Sequence, residues 1–168
     1  MPTMLEPMMS ELDQEAATTK RLLQRVPADQ LTWRPHRKSM TLGQLALHVA
    51  MIPGALSKLA QLEEFDSANA NFDPPQPQST AEICKAFEES LSAAHENLKA
   101  MTDASAGGTW RMGSKGREVL AMPRVTMLRG IMLNHWYHHR GQLSVYLRML
   151  DVPIPVIYGR SADENPFA

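Results

Sequence analysis

The sequence predicts an all-α fold, a four-helix up-down bundle over residues 4–150 with an irregular C-terminal tail over 151–168. Three observations carry that prediction. Proline and glycine fall in clusters that leave four long segments between them. Two segments open on capping boxes, Thr41-Leu42-Gly43-Gln44 and Ser79-Thr80-Ala81-Glu82. In each, the hydroxyl accepts from a free backbone N–H and the last side chain reaches back. Apolar residues then recur at helical steps of three and four.

The first segment runs from Met4 to Arg25, with Leu5, Met8, Leu12, Leu22 and Leu23 apolar and Pro27 as its stop. The second runs from Thr41 toward Leu62, and Pro53-Gly54 predicts a kink in its middle. The proline-rich stretch 72–79 reads as a connection. In the third segment Ile83, Phe87, Leu91, Ala94, Leu98 and Met101 form a one-sided stripe. Between Trp110 and Met122, Gly113-Ser114-Lys115-Gly116 predicts a short hairpin. The fourth segment runs from Pro123 to Leu150. Its apolar arc is wide (Met127, Leu128, Ile131, Met132, Leu133, Leu143, Val145, Leu147), which marks a central, buried helix. The tail Asp151-Val152-Pro153-Ile154-Pro155 cannot be helical and is expected to run back over the bundle or onto a partner.

A chain of 168 residues and 18.8 kDa has the length of one domain, expected here over 1–168. A domain of this size buries roughly 70% of its unfolded surface and needs no staple merely to fold. Lys plus Arg is 17 against 18 for Asp plus Glu, a balance that argues against a nucleic-acid-binding role. The single cysteine, Cys84, excludes a disulfide framework and every multi-cysteine zinc site. No apolar run approaches the ~20 residues of a membrane span. The start, Met1-Pro2-Thr3-Met4-Leu5-Glu6, lacks the pattern of a signal peptide. The expectation is a soluble cytoplasmic protein with no membrane partner. Between Trp110 and Arg148 the basic residues Arg111, Lys115, Arg117, Arg124, Arg129, Arg140 and Arg148 face Glu118 alone, while 57–103 is mainly acidic. Either neighbouring elements of opposite sign pair within the fold, or some arginines bias a pocket toward an anion.

Three of six histidines lie in Asn134-His135-Trp136-Tyr137-His138-His139-Arg140-Gly141-Gln142. On a helix, residues four apart differ by ~40° and share a face, so His135 and His139 can place two imidazoles on one metal ion. His135 and His138, three apart, also share a face, and periodicity does not choose between His138 and His139. A third ligand must come from another helix. His48 sits in the apolar run Leu45-Ala46-Leu47-His48-Val49-Ala50, where an unpaired imidazole is costly to bury. The alternative is a buried histidine with a backbone partner.

The block from His135 to Arg148 resembles the signature of the DinB family. This is a damage-inducible, YfiT-like group of four-helix bundles, distinct from the DNA polymerase of the same name. The resemblance extends to Thr19-Lys20-Arg21-Leu22-Leu23 with Val26-Pro27, to Trp33-Arg34-Pro35-His36, and to Leu42-Gly43-Gln44-Leu45-Ala46-Leu47-His48-Val49-Ala50. It also includes Val152-Pro153-Ile154-Pro155 and Tyr158-Gly159-Arg160-Ser161 in the tail, although Arg160 stands where many members have proline.

The resemblance implies one divalent metal, zinc or nickel, held by His48, His135 and His139, and it supplies the preference for His139. Three ligands leave an open position, the arrangement of catalytic zinc. By resemblance the expected activity is a metal-dependent thiol S-transferase or related hydrolase. Its substrate would be a small electrophile, with a low-molecular-weight thiol as co-substrate and a stress- or damage-induced role. The alternative is a non-catalytic binding or assembly module. His138 and Gln142 are expected beside the ligands, Trp33 and Trp136 as possible pocket walls, and Arg140 paired with an acidic residue on another helix or subunit. His36 and His95 are expected to face solvent, and Cys84 to be structural. The methionines of the first segment (Met1, Met4, Met8, Met9) and the family resemblance together suggest a homodimer.

Overall fold

The computed structural model describes residues 3–167; Met1, one of the methionines cited above, lies outside them. The long helices are α1 (Glu6–Leu23), α2 (Leu42–Leu59) and α3 (Thr80–Lys99). A short α4 (Asp103–Gly107) precedes the hairpin. The last helical stretch is built from α5 (Arg124–Met127), a π-helical segment (Leu128–Leu133) and α6 (Asn134–Met149).

Both capping signals act at the expected helix starts. The Thr41 hydroxyl accepts from the Gln44 N–H at 3.1 Å while Gln44 Oε1 accepts from the Thr41 N–H at 3.0 Å. At α3 the Ser79 hydroxyl accepts from the Glu82 N–H at 3.1 Å, but Glu82 reaches one residue further back, to the Gln78 N–H. The stripe of α3 is buried at Ile83, Phe87, Ala94 and Leu98. It packs on α2, and the two helices come close at Gly54, where an added Cβ would lie 2.8 Å from the Ser90 carbonyl oxygen. The Gly54 N–H donates to Ser90 Oγ at 2.9 Å, and α2 continues through Pro53. It ends at Leu59 rather than Leu62. There Trp110 Nε1 donates to the Leu59 carbonyl at 3.1 Å and Arg124 Nε to the Ala60 carbonyl at 3.0 Å, satisfying carbonyls a helix end leaves free.

A purely helical bundle with a hairpin is not what the chain forms. The hairpin is present, β2 (Thr109–Ser114) and β3 (Arg117–Pro123), and its turn residues Lys115 and Gly116 take positive φ of 52° and 75°. That matches the type I′ turns that close two-residue hairpins. A third strand, β1 (Glu64–Asp66), adds in parallel to β2, pairing Phe65 with Met112, and makes a small mixed sheet. Three residues are too few to show a period in sequence. The sheet lies beside the C-terminal end of α2, so it supplies a second wall there.

The tail returns over the bundle. Arg21 donates to the Val156 carbonyl at 2.7 Å, Arg25 pairs with Glu164 at 3.1 Å, and Arg148 pairs with Asp163. Arg140, 1% exposed, pairs with Glu15 of α1 and contacts the Tyr158 hydroxyl of the tail, so its acidic partner is on another helix of the same chain.

Candidate metal centre

His48 stands midway along α2, and α6 presents His135 and His139 one turn apart on the side facing it. One ligand nitrogen from each of the three lies within 4.8 Å of the others. Nε2 of His48 and Nε2 of His135 are 3.0 Å apart, so one donates to the other. The His139 ring centroid is 4.5 Å from that of His48 and 4.4 Å from that of His135. Nitrogens on a tetrahedral zinc ion, each ~2.0–2.1 Å from it, stand roughly 3.3 Å apart. The imidazoles therefore fit one divalent ion with small adjustments.

Their protonation state fits as well. Burial, reinforced by the neighbouring imidazoles, pushes His48 down to about 4. Burial likewise lowers His135 and His139, the latter partly offset by its hydrogen bond to Gln142. Neutral imidazole is the form that binds a metal. Gln142 Oε1 lies 2.7 Å from His139 Nδ1 and accepts its proton, which leaves Nε2 with the lone pair. Such partners fix the tautomer and orientation of a ligand ring.

The cluster borders a cavity of about 470 Å³ between α2, the sheet, the π-helical segment and the connection at 70–75. His48 and His135 line it together with Ile52, Leu56, Trp110 and Met127, among others. The π segment lies immediately before α6 and contributes Ile131 to the wall, in keeping with the frequent placement of π-helical turns at functional sites. Sequence reasoning missed this wall. Trp110 was visible as a strand residue and Ile131 as an apolar helix residue, but nothing local to either indicates which cavity it faces.

Other residues singled out in the sequence stand elsewhere. Trp33 packs edge-on against Tyr146, with centroids 5.7 Å apart, and Trp136 is fully buried near Phe87; neither lines the cavity. His138 is exposed, with its ring 4.9 Å from that of His139. His36 is exposed, whereas His95 is not free in solvent, since its Nε2 lies 2.8 Å from Asp13 Oδ1. Burial, with Glu88 adding to it, raises the Cys84 thiol and disfavours the reactive thiolate. The basic residues of 110–148 do not face the cavity. Arg111, Arg129, Arg140 and Arg148 pair with Glu118, Glu11, Glu15 and Asp163, so they pair within the fold, although none of these partners lies in the acidic stretch 57–103.

The DinB family model matches residues 1–165. The chain belongs to the DinB family. This DinB member is 28% identical over 151 residues to the uncharacterized protein YrdA of Bacillus subtilis, covering 89% of this chain and 85% of that one. Its fold resembles a DinB-like protein from Bacillus cereus with a TM-score of 0.70 at 22% identity, covering 94% of this chain and all of that one. It also resembles the DinB-like YjoA of Bacillus subtilis, with a TM-score of 0.68 at 18% identity over 92% of this chain and all of the other. Among the described residues, no helix is long and apolar enough to cross a membrane.

Proposed function

We propose that this DinB-family chain is a divalent-metal-dependent enzyme that transfers a low-molecular-weight thiol to a small electrophile, or hydrolyses one. His48, His135 and His139 would hold the zinc or nickel ion. The observation that carries this reading is the convergence of three imidazole nitrogens within 4.8 Å at the wall of a largely apolar cavity. With three imidazoles as ligands there would be room on the ion for a water or thiol, whose pKa the ion would lower toward neutral when bound. The chain's own residues do the rest. His48 and His135 open the site onto the cavity, Gln142 holds the His139 tautomer, and the apolar wall offers a surface for the electrophile. In the transfer, sulfur bonds to the electrophilic carbon, the thiol proton passes to solvent, and the leaving group departs with its bonding pair.

The test is thiol consumption by metal-loaded protein with an aryl halide electrophile across a panel of thiols. Turnover above the chelator-treated control, lost in His135→Ala, supports the reading. No turnover with any thiol and no hydrolysis of an ester panel overturns it. A binding module is the second reading, favoured because the histidine cluster includes no carboxylate among the described residues to act as general base. It expects tight ligand retention without turnover.

We also propose that the chain pairs as a homodimer. Met8 is buried and Met9 packs on the core, so they do not supply the surface. Val145 and Met149, one turn apart on α6, are 57% and 56% exposed and offer one. Light scattering is expected to give a mass near twice 18.8 kDa. A monomer mass at all concentrations contradicts the dimer and leaves the histidine cluster untouched, because all three residues come from one chain.

A further inference from the structure

The lining of the cavity specifies its ligand more closely than the metal does. Among the described residues that surround it, only His48, His135 and Asp73 are ionisable, and there is no lysine or arginine. The remainder is aliphatic, aromatic, methionine, proline or Asn71, from α2, β1, the connection at 70–75, β2, α5 and the π segment. A volume of about 470 Å³ falls in the ordinary range of small-molecule pockets. An anionic group carried along this wall would lose its hydration, meet the Asp73 carboxylate and find no cationic side chain in compensation; the positive charge of a bound ion would act only at the histidine end, where the reacting group sits. The arginines that might have served are held by Glu118, Glu11, Glu15 and Asp163.

We propose that this cavity takes the uncharged, apolar body of the substrate, alkyl or aryl, with its reacting end toward His48 and His135, and that it rejects anionic bodies. The inference rests on the metal-dependent reading for the direction of the reacting end. A thiol that carries carboxylates therefore reaches the site from outside this cavity, and the cavity belongs to the electrophile.

The experiment uses metal-loaded full chain and two dyes sharing one aromatic skeleton, uncharged N-phenyl-naphthylamine and its sulfonated analogue anilinonaphthalene sulfonate. Fluorescence titration is expected to show one uncharged dye per chain and at least tenfold weaker binding of the sulfonate. Ala55→Glu, at an exposed position of α2 on the cavity wall, is expected to weaken the uncharged dye tenfold or more at unchanged metal content. Should that variant not fold, Met51→Glu, where the methionine is 42% exposed, makes the same test. Equal or tighter binding of the sulfonate overturns the assignment, as does a folded variant that binds the uncharged dye like the parent. Protein that holds no metal yet keeps the dye preference contradicts the enzymatic reading alone. The two failures are thus distinguishable.

Discussion

Arg140→Leu tests the junction that joins α1, α6 and the tail. Arg140 Nη2 lies 2.5 Å from Glu15 Oε2, while Nη1 donates to the Glu15 carbonyl at 3.2 Å and to Thr19 Oγ1 at 3.1 Å. The guanidinium also sits over the rings of Tyr137 and Tyr158, 5.1 and 5.0 Å from their centroids. Removing one partner of a buried pair costs about 3–5 kcal/mol, because the other charge is left uncompensated. The Glu15 side chain keeps 16% of its exposure, which favours the lower end, about 3 kcal/mol. For a chain of this length each kcal/mol shifts Tm by roughly 2–4 °C, so a fall of about 10 °C is expected by circular dichroism. Glu15→Leu is expected to cost as much, since Arg140 is the more buried partner. The double variant removes both charges and is expected to cost at least ~2 kcal/mol less than the sum of the singles. Single losses below ~1 kcal/mol, or strict additivity, would refute the claim that this pair clamps the tail.

Other expectations follow from particular contacts. Gln142→Ala is expected to weaken metal affinity roughly 10–100-fold in a chelator competition, with little change in Tm, because it frees the His139 ring. Gly54→Ala is expected to destabilise by about 1–3 kcal/mol, since its Cβ would press on Ser90 backbone atoms at 2.8 and 2.9 Å. Gly141→Ala, whose Cβ meets nothing within 4 Å, is expected to raise Tm slightly, so equal effects at the two glycines would contradict the packing argument. For metal-free protein, His48 is held at about 4 against an ordinary 6.5, and the unfolded chain binds the extra proton between those values. Urea stability is therefore expected to be full above pH 6.5 and to fall as pH drops toward 4; a His48→Gln variant with the same slope would exclude this cause.

Helix starts were legible because capping is local chemistry: Thr41 and Ser79 act within three residues of themselves. The His135–His139 pair was legible for the same reason, as a spacing on one helix. His48 was visible only as an imidazole among apolar neighbours, and its place in the ligand set came from family resemblance. What the residues did not reveal is non-local. β1 exists because Glu64–Asp66 finds the edge of β2, not because Glu-Phe-Asp favours a strand. The π-helical turn at Leu128–Leu133 carries no composition signal, yet it packs on α2 and brings Ile131 to the cavity. The cavity wall gathers side chains from α2, two strands and the connection at 70–75, so no window of sequence contains it.

Metal binding by His48, His135 and His139 can be measured directly. Elemental analysis of purified protein, reconstituted with zinc or nickel and then desalted, is expected to find about one divalent ion per chain. His48→Ala and the double change His135→Ala with His139→Ala are each expected to hold far less while retaining the helical circular dichroism spectrum. Parent protein that retains no ion after reconstitution, or folded variants that retain as much as the parent, would contradict a site built from these three histidines.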